Sequence, residues 1–396
     1  MSSTTLPLVD GASFWSVLKQ TVRGEVRFDR LSRALYSTDA SVYQIVPLGV
    51  VLPRTEDDIL ATLRACARFG VPLTARGGGT SQAGQCIGPG VILDCSKYFN
   101  EVLEVNAAER WVRVRPGCVL DDLNQTVRPC GLHFAPDIST ANRATIGGMI
   151  ANNSSGTHSI IHGKTVDHVL ELKVALADGS VIHVRPLTAT ELEEKCTRQD
   201  LEGQCYRTVR RLVVEHAEEI ERRFPRILRR VGGYNLDLFI EPRRTGGVSP
   251  LVRHPASDGT TDQGADAPRS PGAFNLAPLF VGSEGTLGVV LEAKLRLIEL
   301  PRAKALLVVQ FNGLLHALAA TPLILTHYPS AVEVMDRYIL DSTKLNPEAS
   351  RLRDFLRGDP SAILLIEFYC DRPEEAGPRL EALEAEIGRA SCRERV

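Results

Sequence analysis

The stretch Arg76-Gly-Gly-Gly-Thr-Ser-Gln-Ala-Gly84 follows directly on the run Pro72-Leu-Thr-Ala75, which reads as a strand. Gly77, Gly78 and Gly79 let the backbone turn with positive φ and come close to a ligand. Successive N–H groups can then form an anion-binding nest, to which the Thr80 and Ser81 hydroxyls add donors. Such a loop suits a pyrophosphate. It is not a Walker A loop, because no Gly-Lys-[Ser/Thr] follows. Nor does it meet Gly-x-Gly-x-x-Gly with a long helix behind it. Taken alone, a glycine-rich loop is as often a plain tight connection.

The flanking sequence sets this loop in an α+β pattern. Residues 1–47 read as mostly helical and polar. Val50-Val-Leu52 is a short buried strand. Thr55 then caps a helix with Glu56, Asp57 and Asp58 in its first turn, where the macrodipole favours anions. Its apolar face is Ile59, Leu63, Cys66 and Ala67, and Gly70 ends it. Strands are expected at Gly90–Asp94, Glu101–Val105 and Trp111–Arg115, and a helix from Leu120 to Arg128. A hairpin follows at Val169–Ala177 and Ser180–Val184, turning at Asp178-Gly179. A long charged helical region covers Thr190 to Arg223. Residues 250–272 are rich in Gly, Pro, Ser and Asp and are expected to be a flexible insertion. After Pro301 come a strand at Ala305–Phe311, a helix at Leu314–Leu325 and a strand at Ser330–Val334. A broken helix from Asp336 to Leu356 leads to a strand at Ala362–Tyr369 and a helix from Glu374. This order suggests a second, small α+β domain, incomplete at residue 386.

Two further stretches could carry chemistry. Pro136-Asp-Ile-Ser-Thr-Ala-Asn-Arg-Ala-Thr-Ile-Gly-Gly-Met-Ile-Ala-Asn-Asn-Ser-Ser-Gly156 joins Gly147-Gly148 to many short polar side chains. Such a stretch lets a backbone lie flat against an extended ligand, with Thr145, Asn152, Ser154 and Ser155 as hydrogen-bonding groups. A polar loop of turn formers reads the same way. In Leu279-Phe-Val-Gly-Ser-Glu-Gly-Thr-Leu-Gly288, three glycines bring a loop close to something, and the alternation after it reads as a strand.

These three motifs, in this order, resemble the flavin-binding domain of the vanillyl-alcohol oxidase / p-cresol methylhydroxylase family over residues 30–386. Tyr36-Ser-Thr-Asp39, Thr157-His-Ser-Ile-Ile-His-Gly-Lys164 and Gly233-Tyr-Asn-Leu-Asp237 narrow the resemblance. They look like the large D-2-hydroxyacid dehydrogenases, of the D-lactate and D-2-hydroxyglutarate type, whose flavin domain and cap are fused to an iron–sulfur region. The resemblance implies a two-lobed FAD-binding domain at 48–299 and part of a ferredoxin-like α+β cap at 300–386, after an N-terminal segment at 1–47. Arg76, Gly77, Gly78, Gly79, Thr80, Ser81 and Gln82 would wrap the FAD pyrophosphate. Pro136, Asp137, Thr145, Ile146, Gly147 and Gly148 would line the ribityl chain and flavin. Asn152, Ser155, Gly156 and Gly163 would complete the second side, with Val169 near the adenine and Glu284 and Gly285 beside the flavin. Tyr234 and Asn235 could face substrate or flavin, or else pack and turn. Relatives with covalent flavin carry a histidine where Thr80 stands, so the resemblance implies non-covalent FAD.

The implied reaction passes the C2 hydride of a D-2-hydroxyacid to the flavin, and electrons then go through the iron–sulfur region to a quinone or carrier protein. Two other readings share the motifs: an inactive FAD-binding fragment, and a family member acting on an alkyl-glycerone-phosphate or a sugar. His133, His158, His162 and His168 are candidates for a base, but no pair has metal-ligand spacing. The implied metal ligands and cluster cysteines would lie beyond Glu386.

Composition narrows the partners. The 396 residues carry 46 Lys+Arg and 48 Asp+Glu, a net charge of −2, so no general electrostatic case exists for nucleic acid. No run of about 20 apolar residues spans a bilayer. The expected location is the cytoplasm or the inner face of the inner membrane. None of the nine cysteines forms Cys-x-x-Cys, and they read as reduced core thiols. The end, Ile387-Gly-Arg-Ala-Ser-Cys-Arg-Glu-Arg-Val396, back-translates to ATC GGA AGA GCG TCG TGT AGG GAA AGA GTG. That string is the start of a common short-read sequencing adapter, so residues 387–396 are expected to be an artefact, and Cys392 leaves the cysteine tally.

Overall fold

A computed structural model describes residues 11–240 and 274–393. The expected insertion at 250–272 lies outside the described residues. The fold is α+β, and its chain divides into two compact units, residues 157–163 and those from 300 onward forming the second.

The first unit is built on two sheets. One contains β1 (Glu25–Arg27), β2 (Gly49–Leu52), β3 (Leu73–Arg76) and β4 (Val91–Asp94), in the order β1-β2-β4-β3. β2, β4 and β3 run parallel, and β1 joins antiparallel to β2. The stretch before residue 47 is therefore less helical than expected. Glu-Val-Arg is too short and too polar to announce a strand by alternation. Parallel neighbours need a crossover. Between β2 and β3 it is the helix Glu56–Phe69. Between β3 and β4 it is the glycine-rich loop itself, which leaves the carboxyl end of a parallel strand, the usual place for a ligand in such sheets.

The helix Glu56–Phe69 shows why the sequence was readable here. Thr55 Oγ1 accepts from the Asp58 N–H at 3.3 Å, and Gly70 ends the helix in the left-handed region. Asp58 is 1 % exposed. Its carboxylate accepts the N–H groups of Arg23 (2.7 Å), Arg54 (2.8 Å) and Thr55 (3.1 Å). One side chain thus satisfies donors from three chain positions. The apolar face, Ile59, Leu63 and Cys66, packs with Phe14, Leu18, Val91 and Leu93.

The second sheet contains β5 (Val102–Asn106), β6 (Trp111–Val114), β8 (Val169–Ala175), β9 (Val181–Val184) and β10 (Val289–Arg296), in the antiparallel order β5-β6-β10-β8-β9. β7 (Leu132–His133) pairs with β11 (Ile298–Glu299) beside it. β10 alternates buried and half-buried residues along its whole length. Ala175, Val289 and Leu291 share the core beneath the helix Glu56–Phe69. At the rim of that core, Lys173 Nζ lies 2.8 Å from Glu56 Oε2, and Arg115 Nη1 lies 3.0 Å from Glu292 Oε1. The expected long helical region is three helices, Ala189–Thr197, Leu201–Glu215 and Ala217–Arg223. The first break is made by Asp200, which caps the next helix by accepting the Gly203 N–H at 3.0 Å.

In the second unit β12 (Ala303–Phe311), β13 (Ala331–Asp336) and β14 (Ala362–Cys370) form an antiparallel sheet in the order β12-β14-β13. Ala305, Leu364, Ile366 and Phe368 pack with Ala317 and Ile324 of the helix Leu314–Leu325 and with Leu383 of the helix Ala376–Arg393. The intervening helix is broken into Arg337–Leu345 and Pro347–Ser350, as expected.

Asp58→Ala leaves three N–H groups without their carboxylate and is expected to cost about 3 kcal/mol. Thr55→Ala removes one cap bond and is expected to cost about 1 kcal/mol. Urea unfolding of the two variants checks the order; equal costs would contradict the role given to Asp58.

Candidate functional site

The three glycine-bearing motifs, far apart in the chain, line one cleft of the first unit. The cleft is lined by residues of all three motifs and opens to solvent. Its first wall is Arg76, Gly77, Ser81, Gln85 and Cys86; its second is Thr145, Gly147, Gly148, Ala151 and Asn152; its third is Ser283, Glu284, Gly285 and Gly288.

The first two walls meet backbone to backbone. A Cβ on Gly77 would stand 2.0 Å from Thr145 Oγ1, and one on Gly78 would stand 2.1 Å from the Arg143 carbonyl oxygen. Only glycine permits that approach. Thr145 is 2 % exposed and begins the helix Ile146–Asn152, its hydroxyl accepting the Gly148 N–H at 3.4 Å. The third wall closes on the other end of this short helix. Gly282 N–H donates to the Ile150 carbonyl (2.9 Å) and Glu284 N–H to the Ala151 carbonyl (3.0 Å). The Ile150 carbonyl also accepts the Asn153 N–H (3.2 Å), so the third wall adds to the capping of this helix end. Glu284 sits at φ 51°, a left-handed conformation that costs a non-glycine residue energy and is typical of functional sites. Its Oε1 accepts from Asn152 Nδ2 at 3.1 Å.

The remaining anticipated residues fall around this core. Gly78, Gly79, Thr80 and Gln82 continue the first loop. Pro136 is buried, and Asp137 lies backbone-on to Gly156, where a Cβ would stand 1.5 Å from the Asp137 oxygen. Ser155 is half-buried in the same turn. Ile146 and Val169 are core side chains, 0 % and 7 % exposed, so they can meet a ligand through backbone only. Gly163 ends the helix Ser159–His162 and belongs to the second unit. Asn235 is 1 % exposed, and its Nδ2 donates to the carbonyls of Pro278 (3.1 Å) and Val281 (2.7 Å). It braces the chain that enters the third wall. Tyr234 bonds Thr286 through its hydroxyl at 2.9 Å.

The histidines do not gather at the cleft. His133 lies on β7, and His168 packs edge-on to Phe134. In the second unit His158 Nε2 lies 2.7 Å from Glu367 Oε1, with Tyr369 against both His158 and His162. Burial pushes the Glu367 carboxyl up, but the His158 hydrogen bond and the Lys304 charge outweigh it and hold the group below its ordinary value.

Cys86, Cys95, Pro116, Phe280 and Val290 line the cleft without having been anticipated. Pro116-Gly117 was the available signal, a turn just past β6. Burial pushes the Cys95 thiol up to about 12, so it is a neutral apolar wall.

Comparison with known proteins accords with this geometry. The FAD binding domain family matches residues 47–185, and the C-terminal domain of FAD linked oxidases matches residues 300–395. The two family models thus match successive parts of the chain. It is 35 % identical to a D-2-hydroxyglutarate dehydrogenase of Pseudomonas putida, over 96 % of this chain and 36 % of that protein. It is 32 % identical to a D-2-hydroxyglutarate dehydrogenase of Escherichia coli, over 93 % of this chain and 34 % of that protein. The glycolate oxidase subunit GlcD of Bacillus subtilis is 28 % identical over 92 % of this chain and 61 % of that subunit. The chain therefore spans about a third of the length of the dehydrogenases it matches. An alkyldihydroxyacetonephosphate synthase structure shares the fold, with TM-score 0.61 and 16 % identity over 96 % of this chain and 59 % of that one.

The residues present fit FAD. Among the described residues, no protein acceptor takes the backbone N–H groups of residues 77–82, which follow one another along the first loop. That is the donor set a pyrophosphate needs. Among the described residues, no helix is long and apolar enough to cross a membrane, and no cluster of His, Cys, Asp and Glu could hold a metal ion.

Gly78→Ala drives a methyl group into the Arg143 carbonyl and should part the two walls. FAD bound per chain after gel filtration is expected to fall at least about tenfold, a loss of about 1.4 kcal/mol. Full retention of flavin would show that the wall contact does not matter.

Proposed function

We propose that this chain is the FAD-holding part of an FAD-dependent dehydrogenase that oxidises a D-2-hydroxyacid, D-2-hydroxyglutarate or D-lactate, to the 2-oxoacid. One observation carries the reading: three separated motifs converge on one cleft, and among the described residues the N–H groups of residues 77–82 in the first of them take no protein acceptor. The names of the relatives support the substrate class.

FAD, when bound, supplies a hydride acceptor for C2 of the substrate. The chain's own part is binding and orientation. The backbone of Gly77, Gly78, Gly79, Thr80, Ser81 and Gln82 holds the pyrophosphate. Thr145, Gly147 and Gly148 give a flat wall for the extended part of the cofactor. Asn152, Glu284 and Gly285 set the position of the ring end, and the neutral Cys95 and Phe280 keep water from the back of the cleft. Thr80 offers no ring nitrogen for covalent attachment, so the FAD is non-covalent and leaves with acid precipitation. The longer protein passes electrons on through an iron–sulfur region to a quinone or carrier protein. It works in the cytoplasm or against the inner membrane.

Cys86 is half-buried in the first wall and Cys130 is exposed away from it. Saturating FAD is expected to slow alkylation of Cys86 at least about tenfold at ligand well above Kd and to leave Cys130 unchanged. Peptide mass analysis reads both sites in one sample. A chain that takes up no FAD, with Cys86 unprotected, would falsify the reading. Anaerobic bleaching of bound flavin by D-2-hydroxyglutarate or D-lactate, tested in the longer protein, decides the substrate class; bleaching by a sugar alone would overturn it.

A further inference from the structure

Arg76 stands at the head of the first loop, where a cation is expected to meet a phosphate directly. Its contacts run elsewhere. Nη1 donates to the carbonyls of Cys86 (3.3 Å) and Tyr36 (3.5 Å), the first being the firmer bond. The guanidinium lies 5.3 Å from the centre of the Tyr36 ring. A Cβ on Gly79 would come within 2.5 Å of Nη2, so the group fills the space directly beneath the loop's turn. The Gly79 carbonyl is in turn held by the Ala40 N–H at 3.0 Å. Tyr36 is fixed from behind, its hydroxyl donating to Asp94 Oδ2 at 2.6 Å. The Arg76 carbonyl accepts the Cys95 N–H at 3.2 Å. Arg76 therefore touches the loop where it starts, where it turns and where it ends, together with the segment 36–40 beneath it.

Its charge is also partly spent inside the protein. Burial pushes the Asp39 carboxyl up, yet hydrogen bonds from Ser41 and Cys86 and the charge of Arg76 keep it below its ordinary value. A cation shared in this way is a weaker partner for a second anion.

We propose that Arg76 is a positioning residue, not a phosphate ligand: it holds the loop 77–86 in its N–H-presenting shape from below. The inference rests on the FAD reading for its ligand and on the loop geometry for its mechanism. A planar fork can hold two carbonyls and an aromatic face at once, which a lysine ammonium on a flexible stem cannot.

The test uses the full chain as wild type, Arg76→Lys and Arg76→Gln, with FAD as the probe. Two readouts are taken: FAD affinity, and amide hydrogen exchange of Ala40, whose N–H the Gly79 carbonyl accepts, without FAD. Both variants are expected to lose affinity by a similar factor, on the order of tenfold or more, about 1.4 kcal/mol per decade. Exchange at Ala40 should rise in both, because the turn at Gly79 is released before any ligand arrives. Tyr36→Leu serves if the arginine variants do not fold: it keeps the Arg76 charge but removes the ring against the guanidinium, and should match them in both readouts. Arg76→Lys binding FAD like wild type would show that charge alone suffices and overturn the proposal. So would unchanged exchange at Ala40 in Arg76→Gln. If wild type takes no FAD, the FAD reading fails, while the exchange data still decide whether Arg76 holds the loop.

Discussion

The structure of the cleft depends on a contact that leaves no room for a side chain: Gly77 and Gly78 against Arg143, Ala144 and Thr145. Where these backbones touch, Thr145 does two jobs. Its hydroxyl starts the helix Ile146–Asn152 and its Cβ side abuts Gly77. The far end of the same helix gives its carbonyls to Gly282 and Glu284. One short helix thus has a glycine-bearing loop at either end, and the spacing between the first and third walls is set by its length. This is a rigid way to hold three loops, because the fixing bonds are backbone to backbone and lose little side-chain entropy.

That arrangement needs a stiff base. The parallel strands β3 and β4 supply the points from which the first loop leaves and returns. The helix Glu56–Phe69 packs over them with its first turn tied down by Asp58. Charged side chains at the rim of that core, Glu56, Lys173, Arg115 and Glu292, link the helix to the second sheet, from which the third wall departs at β10. These pairs are largely buried, so desolvation offsets much of their attraction. Their value is in fixing which residue of β8 and β10 faces the helix.

Much of this was legible in the chain. Thr55, Glu56–Asp58 and Gly70 marked both ends of a helix because capping depends on local residues alone. The alternation in β10 and the Asp-Gly turn at 178–179 are local in the same sense. The convergence of three motifs was legible only through resemblance, since no spacing rule brings residue 77 to residues 145 and 284. What side chains do across long range was not legible. Arg76, which the resemblance sets with the loop around the pyrophosphate, donates to the carbonyls of Tyr36 and Cys86, one of which lies far upstream. For Asn235 a ligand contact and a turn role are both open in the sequence, and its amide is spent on two carbonyls. Gly163 shares a motif with flavin-lining residues yet counts with the second unit. The strand Glu25–Arg27 was missed because three residues carry no period.

The make-up of the cleft says what kind of work it can do. Among the described residues that line it, Arg76 and Glu284 are the charged groups, and no histidine, lysine or aspartate joins them. The arginine is engaged by protein carbonyls, and the carboxylate is tied to Asn152 in a strained backbone. General acid–base catalysis needs a positioned group whose proton can move. A cleft of glycines, small hydroxyls and apolar walls supplies none in quantity; it supplies close approach, backbone donors and exclusion of water. Those are the requirements of a site that grips a large cofactor and leaves the difficult chemistry to it. The cleft is thus defined by backbone shape more than by reactive side chains.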